Sequence, residues 1–237
     1  MNEPAPDFSN SAYLMPHINR EGIRFGSMAL AAALIVAILA SHFWWLGWLV
    51  IPAFLLAYGV FLFFRDPVRY PPNDDKALLS PADGRICLIE DCELPDSFGE
   101  MEEYKGRKFT RVSVFMSLFD VHVNRMPTAG EIVKKEYVAA GKFLNASLDK
   151  ASKENERCNY LIRTGEGVVY AVTQIAGLVA RRIVPQVEEG QVLGLAERFG
   201  LIRFGSRLDV YLPMGAKCEV RIGQTMVAGE TIIGRLP

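Results

Sequence analysis

From Met28 to Phe64 the chain reads MALAAALIVAILASHFWWLGWLVIPAFLLAYGVFLFF, with no Asp, Glu, Lys or Arg. A membrane span needs roughly 20 apolar residues, so this run predicts two helices rather than one. The break falls at SHFWWLGW, where His42, Gly47 and three tryptophans form the kind of aromatic belt found at a membrane interface. Arg20 and Arg24 precede the run and Arg65 and Arg69 follow it, which places both ends on the cytoplasmic face by the positive-inside rule. The pattern predicts a transmembrane hairpin over residues 28–64, after an N-terminal cytoplasmic segment, residues 1–27. Pro52 predicts a kink or a partial span in the second helix. A cleaved signal peptide would be shorter, would begin nearer Met1 and would leave no second apolar half. A hairpin buried in a soluble core would carry a charged edge.

After Arg65 the periodicity changes. RDPVRYPPNDDKALLSPADG is rich in Pro and Asp and predicts an extended linker with turns. Beyond it, short apolar segments alternate with Gly-containing turns: RICLIE, FTRVSVFMS, VHVNRM, GEIVKKEYV, NYLIRT, GVVYAVTQIAG, QVLGLAERFG, LDVYLP, KCEVRIG and TIIGRLP. Strands at such spacing predict an antiparallel β domain over residues 65–237. The stretch Leu144–Glu156 is the least strand-like and predicts a loop or short helix. MGAKCEVRIGQTMVAGETIIGRLP and RRIVPQVEEGQVLG resemble the strand-turn-strand half-motif of biotinyl and lipoyl carrier domains. The expected fold class is therefore α+β, mostly β: a lipoyl/biotinyl-like β-barrel domain behind a transmembrane helical hairpin.

Composition adds little that is not local. Half of the residues are hydrophobic and the mean hydropathy is +0.15, an excess concentrated in the membrane run. A net charge of −1 carries no nucleic-acid signature. Cys87, Cys92, Cys158 and Cys218 show no CxxC spacing and no nearby His, so a metal site is not expected and the thiols read as reduced.

The candidate chemistry is confined to three stretches. Of the three histidines, His17 lies in the N-terminal segment and His42 in the membrane run, leaving His122 in the β domain. In FMSLFDVHVNRMP a strand would put Asp120, His122 and Asn124 on one face. That face is either a functional polar surface or a half-exposed strand edge in water. Asp83 in SPADG is either a site residue or an ordinary turn former before Gly84.

The third stretch is Arg-Phe-Gly-Ser, which occurs at Arg24–Ser27 and again at Arg203–Ser206. At a Gly-Ser pair the hydroxyl can attack the preceding carbonyl through a five-membered ring, an N-to-O acyl shift. The shift is uphill unless one group takes the hydroxyl proton and another stabilises the oxyanion. β-Elimination of the resulting ester leaves dehydroalanine, which tautomerises and hydrolyses to a pyruvoyl group, a built-in electron sink. The first copy abuts the membrane run and reads as an interfacial linker. The second, Gly205-Ser206, sits among strands that could hold a base in fixed geometry.

SPADG, FMSLFDVHVNRMP and RFGSRLDVYLP, in that order, with Gly-Ser close to the C-terminus, resemble the short, membrane-anchored form of the phosphatidylserine decarboxylase family from about Arg65 onward. The resemblance implies a proenzyme that cuts itself between Gly205 and Ser206 into a β chain, residues 1–205, and an α chain, residues 206–237, capped by a pyruvoyl group from Ser206. Both chains would stay together in one barrel. It implies an Asp-His-Ser arrangement in which Asp83 matches the aspartate and Ser206 the processed serine. Long-chain relatives carry two histidines three apart in the second motif; here His122 stands first and Arg125 second, so His122 serves as base or the base lies elsewhere. The cleavage context is Gly-Ser-Arg rather than Leu-Gly-Ser-Thr. The headgroup amine would form a Schiff base with the ketone, CO2 would leave, and His122 would return the proton. Arg125 either pairs with the lipid phosphate or is solvated.

The implied partners are a membrane phospholipid and the two chains of one precursor, with homo-oligomerisation through strand edges also open. The implied location is the cell membrane, with the catalytic domain on the cytoplasmic face and Arg65, Arg69, Arg181 and Arg182 toward an anionic leaflet. Two other readings stand beside it: a non-catalytic membrane-anchored carrier or adaptor, although Lys217 in MGAKCEV lacks the modified-lysine tip of such carriers, and pyruvoyl chemistry on a different serine lipid.

Overall fold

The computed structural model describes residues 17–99, 101–139, 155–177, 182–203 and 206–237. The chain divides into two compact units, Met1–Val68 and Arg69–Pro237.

In the first unit, the two-residue strand β1 (His17–Ile18) pairs antiparallel with β2 (Arg65–Asp66), closing a helical hairpin. Helix α1 (Arg20–His42) starts at Asn19, whose side chain accepts from the Glu21 N–H. It begins well before the apolar run, so Arg20, Arg24 and the first Gly-Ser pair are helical rather than part of a linker. Gly26 packs on the ring of Phe61, leaving no room for a side chain at that position. After Phe43 and a 3-10 turn at Trp44–Leu46, α2 (Gly47–Phe63) returns with Pro52 inside it. Both arms are long and apolar enough to cross a membrane. Leu34, Ile35, Ile38, Ile51, Leu55 and Leu56 are exposed, whereas Ala33 and Ala57 are buried. Small residues let two helices approach closely where lipid offers no hydrophobic drive for association.

The second unit is almost entirely antiparallel strand. In chain order these are β3 (Ala77–Leu79), β4 (Gly84–Cys92), β5 (Phe109–Met116), β6 (Val123–Arg125), β7 (Gly130–Val138), β8 (Arg157–Arg163), β9 (Val169–Ala176), β10 (Arg182–Pro185), β11 (Val192–Leu193), β12 (Arg198–Arg203), β13 (Ser206–Tyr211), β14 (Lys217–Cys218), β15 (Thr225–Met226) and β16 (Ile232–Arg235), with a single-turn helix α3 (Asp96–Gly99). The main sheet runs β11-β7-β8-β9-β13-β5-β4-β15; a second sheet runs β10-β12-β6 and a third β14-β16-β3. Ala77–Leu79, expected within an extended linker, is instead a fully buried strand, because β16 supplies its hydrogen bonds. Of the stretch expected to be a loop or short helix, residues 144–154 lie outside the described residues.

The expected flattened barrel is not what the described strands form. No sheet closes among them, and β11 and β15 are the two ends of the main sheet. The C-terminal segments do not pair as a self-contained half-motif: β15 pairs with β4, and β16 with both β14 and β3. Gly-rich turns mark where strands end, but partners are chosen by burial across the whole domain.

Strand β13 is central and buried along its whole length, flanked by β5 and β9 in continuous register. Its residues alternate between two faces. Leu208 and Val210 join the main core with Val112, Val114, Met116 and Val172. Tyr211, on the other face, packs with Leu94, Phe98 and Phe109.

Candidate active site

Ser206 is the first residue of β13, faces the main core and is 0% exposed. Its cross-strand neighbours are Met116 on β5 and Ala176 on β9. The hydroxyl lies 3.7 Å from the Met116 sulfur, a weak acceptor, so Ser206 Oγ is held among apolar atoms.

A chain of buried polar side chains reaches the same sulfur from the other direction. Asn124 Nδ2 lies 3.8 Å from Met116 Sδ, Gln174 Nε2 donates to Asn124 Oδ1 at 2.8 Å, and Tyr160 OH donates to Gln174 Oε1 at 2.9 Å. With its oxygen engaged by Gln174, the Asn124 amide has its N–H group turned toward Met116. Gly200 belongs to this assembly, since a Cβ there would meet Gln174 Nε2 at 2.9 Å. Buried polar groups of this kind are costly unless every member is satisfied.

His122 is 2% exposed and precedes β6 rather than lying in it. Its Nδ1 lies 2.9 Å from the Asp120 carbonyl oxygen, which can only accept, so Nδ1 carries the proton and Nε2 is the basic nitrogen of the neutral ring. The His122 carbonyl accepts from the Ile202 N–H at 3.3 Å, tying the histidine to the end of β12, the strand that leads toward Ser206. Burial of His122, Asn124 and Arg125 removes the alternative of a solvated strand edge.

Asp83 sits in the turn before β4. Both of its oxygens accept from Arg69 Nη2, at 2.8 and 2.7 Å, and Oδ1 also accepts from the Ala228 N–H at 2.7 Å. The next residue, Gly84, has φ of +142°, and a Cβ on it would stand 2.1 Å from the Phe115 carbonyl oxygen and 3.3 Å from Met116 Cα. Only Gly permits both that dihedral and that approach. The turn bearing Asp83 thereby rests on the end of β5 that touches Ser206. Arg125 belongs to the same corner and is 6% exposed rather than solvated. Its N–H donates to the Pro81 carbonyl and its Nη1 to the Ala196 carbonyl at 3.2 Å.

Gly205 and Arg181 lie outside the described residues. The Asp83 turn rests on the Met116 end of β5, opposite Ser206; Arg125 bonds to that turn at Pro81, and His122 is tied to the end of β12 at Ile202. Sequence reasoning placed Asn124 on the polar face but gave it no role, and it missed Met116, Gln174 and Tyr160. No spacing rule joins residues on β5, β6, β8 and β9; a Gln inside the apolar run VVYAVTQIA was the available signal.

The opposite face of β13 is charged and buried. Arg207 donates to Asp209 through Nε at 2.6 Å and Nη2 at 2.7 Å, and Arg111 lies 3.8 Å from Asp209 and pairs with Glu90. Burial alone would lower the affinity of Arg207 for its proton, but hydrogen bonding to and attraction by Asp209 outweigh that and raise it. Arg207 therefore stays charged, and removing the Asp209 carboxylate would leave that charge uncompensated. A cleft of about 610 Å³ opens beside this network, lined by Glu90, Arg111, Arg157, Thr173 and Tyr211 among others. It lies across the sheet from Ser206. Among the described residues no three His, Cys, Asp or Glu side chains converge as a cation site.

A family model for phosphatidylserine decarboxylase matches residues 57–234. A phosphatidylserine decarboxylase proenzyme of Erythrobacter litoralis is 49% identical over 227 residues, covering 93% of this chain and 88% of the relative. One from Novosphingobium aromaticivorans is 48% identical over 226 residues, covering 93% and 87%. One from Cereibacter sphaeroides is 47% identical over 226 residues, covering 95% and 92%. The mostly-β domain and these matches define the class: a carboxy-lyase made as a proenzyme. The chain belongs to the phosphatidylserine decarboxylase family.

Proposed function

We propose that this chain cleaves itself at Gly205-Ser206 and then decarboxylates phosphatidylserine to phosphatidylethanolamine at a pyruvoyl group made from Ser206. The observation that supports this reading is the placement of Ser206: a buried hydroxyl at the first position of a central strand, against the Met116 sulfur that the Asn124 amide also approaches.

In the self-cleavage, Ser206 Oγ bonds to the Gly205 carbonyl carbon, its proton passes to a base and the amide C–N bond breaks to give an ester. Elimination then takes the Ser206 Cα proton and breaks the Cβ–O bond, releasing the Gly205 carboxylate and leaving dehydroalanine, whose imine tautomer adds water at carbon and loses ammonia to give the ketone. His122 Nε2 is the base that takes the hydroxyl proton. Asn124, its amide set by Gln174, donates to the oxygen on which charge develops. Asp83 and Gly84 hold the Met116 end of β5 in place against the serine.

A break before β13 leaves the fold intact. Segment 206–237 supplies β13, β14, β15 and β16, which pair with β5 and β9, with each other, and with β4 and β3. These contacts hold the two chains together after cleavage.

The pyruvoyl group supplies a carbonyl that takes up the substrate amine and withdraws the electron pair left as CO2 departs. The buried setting of Ser206 fits such a group, since it excludes bulk water. His122 holds the proton that replaces the lost carboxyl. Helices α1 and α2 cross the membrane as a hairpin, with the β domain on the cytoplasmic face, where Arg182 favours anionic lipid. The carrier alternative gains nothing from the fold: Lys217 lies in β14 opposite Arg235, not at a turn tip.

The test is denaturing electrophoresis with intact mass and hydrazine labelling. The wild type should show two chains with a reactive carbonyl on the smaller, Ser206→Ala one inactive chain, and Ser27→Ala normal processing. An unbroken, fully active wild-type chain overturns the proposal. His122→Ala should process or decarboxylate at least about a hundredfold more slowly; full activity would remove it from the site.

A further inference from the structure

Between β5 and β6 the sequence Ser117-Leu118-Phe119-Asp120 makes a turn whose tip is apolar. Phe119 is 86% exposed and Leu118 50% exposed. The turn is not slack. Asp120 Oδ2 accepts from the Ser117 N–H at 2.7 Å, the Asp120 N–H donates to the Ser117 carbonyl at 3.1 Å, and the Phe119 N–H donates to Ser117 Oγ at 3.4 Å. Two polar side chains thus fix a turn that presents two large, exposed apolar ones, the kind of surface that marks an interaction site.

The position of the turn identifies the partner. It follows directly on Met116, the cross-strand neighbour of Ser206. Three residues of chain limit Phe119 Cα to about 11 Å from Met116 Cα. Asp120, at its far end, orients His122 through its carbonyl. Charge agrees with an anionic lipid surface: the exposed Arg182 lies at the end of the β10–β12 pair that is tied to His122. The substrate class of the family is a phospholipid, whose amine must reach the serine while its acyl chains stay in the bilayer.

We propose that the Leu118–Phe119 turn inserts into the bilayer surface as a wedge and sets the depth at which a phospholipid headgroup meets the site. The wedge is a second lipid contact, carried by the β domain itself and additional to the two apolar helices. It rests on the Ser206 reading for its purpose, but not for its detection.

The experiment uses the full chain in vesicles of phosphatidylcholine and phosphatidylserine, with a phosphatidylcholine bearing a diazirine on one acyl chain as photoprobe. Trypsin releases residues 112–125 as one peptide, bounded by Arg111 and Arg125. Acyl-chain adducts on Leu118 or Phe119 are expected, besides those on α1 and α2. Adducts confined to the helices overturn the wedge, whatever the fate of Ser206. In Phe119→Ser, the ratio of decarboxylation rates on long-chain vesicle substrate to dispersed short-chain phosphatidylserine should fall about tenfold. An unchanged ratio also overturns it. Should that variant fail to fold, adduct mapping on the unmutated chain decides. A Ser206→Ala protein that still cleaves refutes the site reading and leaves the adduct result standing.

Discussion

Replacing Gln174 with Leu keeps the side chain close in size and deletes the amide that links Tyr160 to Asn124. Both partners remain buried, so the Tyr160 hydroxyl loses its acceptor and Asn124 Oδ1 its donor. Leaving a buried polar group unmade costs about 1–3 kcal/mol, so two such groups cost roughly 2–5 kcal/mol once partial relaxation is allowed. For a domain of this size that is a fall in Tm of about 4–20 °C. Tyr160→Phe is the matched control, because it leaves only Gln174 Oε1 unpaired and does not release Asn124. Thermal unfolding is compared in a Ser206→Ala background, where a single species is present. Self-cleavage is followed after cell-free synthesis, at a temperature where both variants are folded. Gln174→Leu should slow cleavage about tenfold or more, as expected when an oxyanion donor loses its orientation, and Tyr160→Phe should stay within about threefold of wild type. Equal cleavage rates in the two variants, both folded, would refute a role for the oriented Asn124 amide.

Gly84→Ala should give a chain that fails to self-cleave even where it accumulates, because the new methyl collides with the Phe115 carbonyl at a positive φ and pushes the Asp83 turn off Met116; pulse-chase processing checks this, and normal cleavage would sever Asp83 from the site. Stability should also fall in alkali. Burial pushes the Cys158 thiol from its ordinary 9.0 up to about 11, and burial followed by the bond to Glu156 pushes Tyr137 from 10.0 up to about 12. Raised pKa values stabilise the fold fully below the unfolded values, and that contribution is lost as pH rises through the folded ones. The Tm of the Ser206→Ala chain should therefore decline above about pH 9, and the Cys158 thiol of folded protein should resist alkylation at pH 8. A flat Tm to pH 11 would count against both burials.

The sequence alone determined that there are two apolar helices, that antiparallel strands follow, and where most of those strands lie. GEIVKKEYV coincides with β7 from end to end, because amphipathic alternation and flanking glycines are local properties of the chain. It also offered Ser206 as a candidate, since a Gly-Ser pair among strand-like segments is visible in the sequence itself. The start of α1 at Arg20 was not legible, because long basic side chains extend a helix beyond its apolar stretch.

Tertiary structure alone decided what surrounds the serine. Met116, Asn124, Tyr160 and Gln174 come from four strands in two sheets, and only strand pairing joins them into one chain of contacts ending at the Met116 sulfur. It likewise turned Ala77–Leu79 into a core strand, sent the C-terminal strands to β3 and β4, and buried Arg125. Local pattern fixes which residues want to be strand and which face is apolar. Which strands meet depends on the free energy of burying all those faces together, and no single segment encodes it.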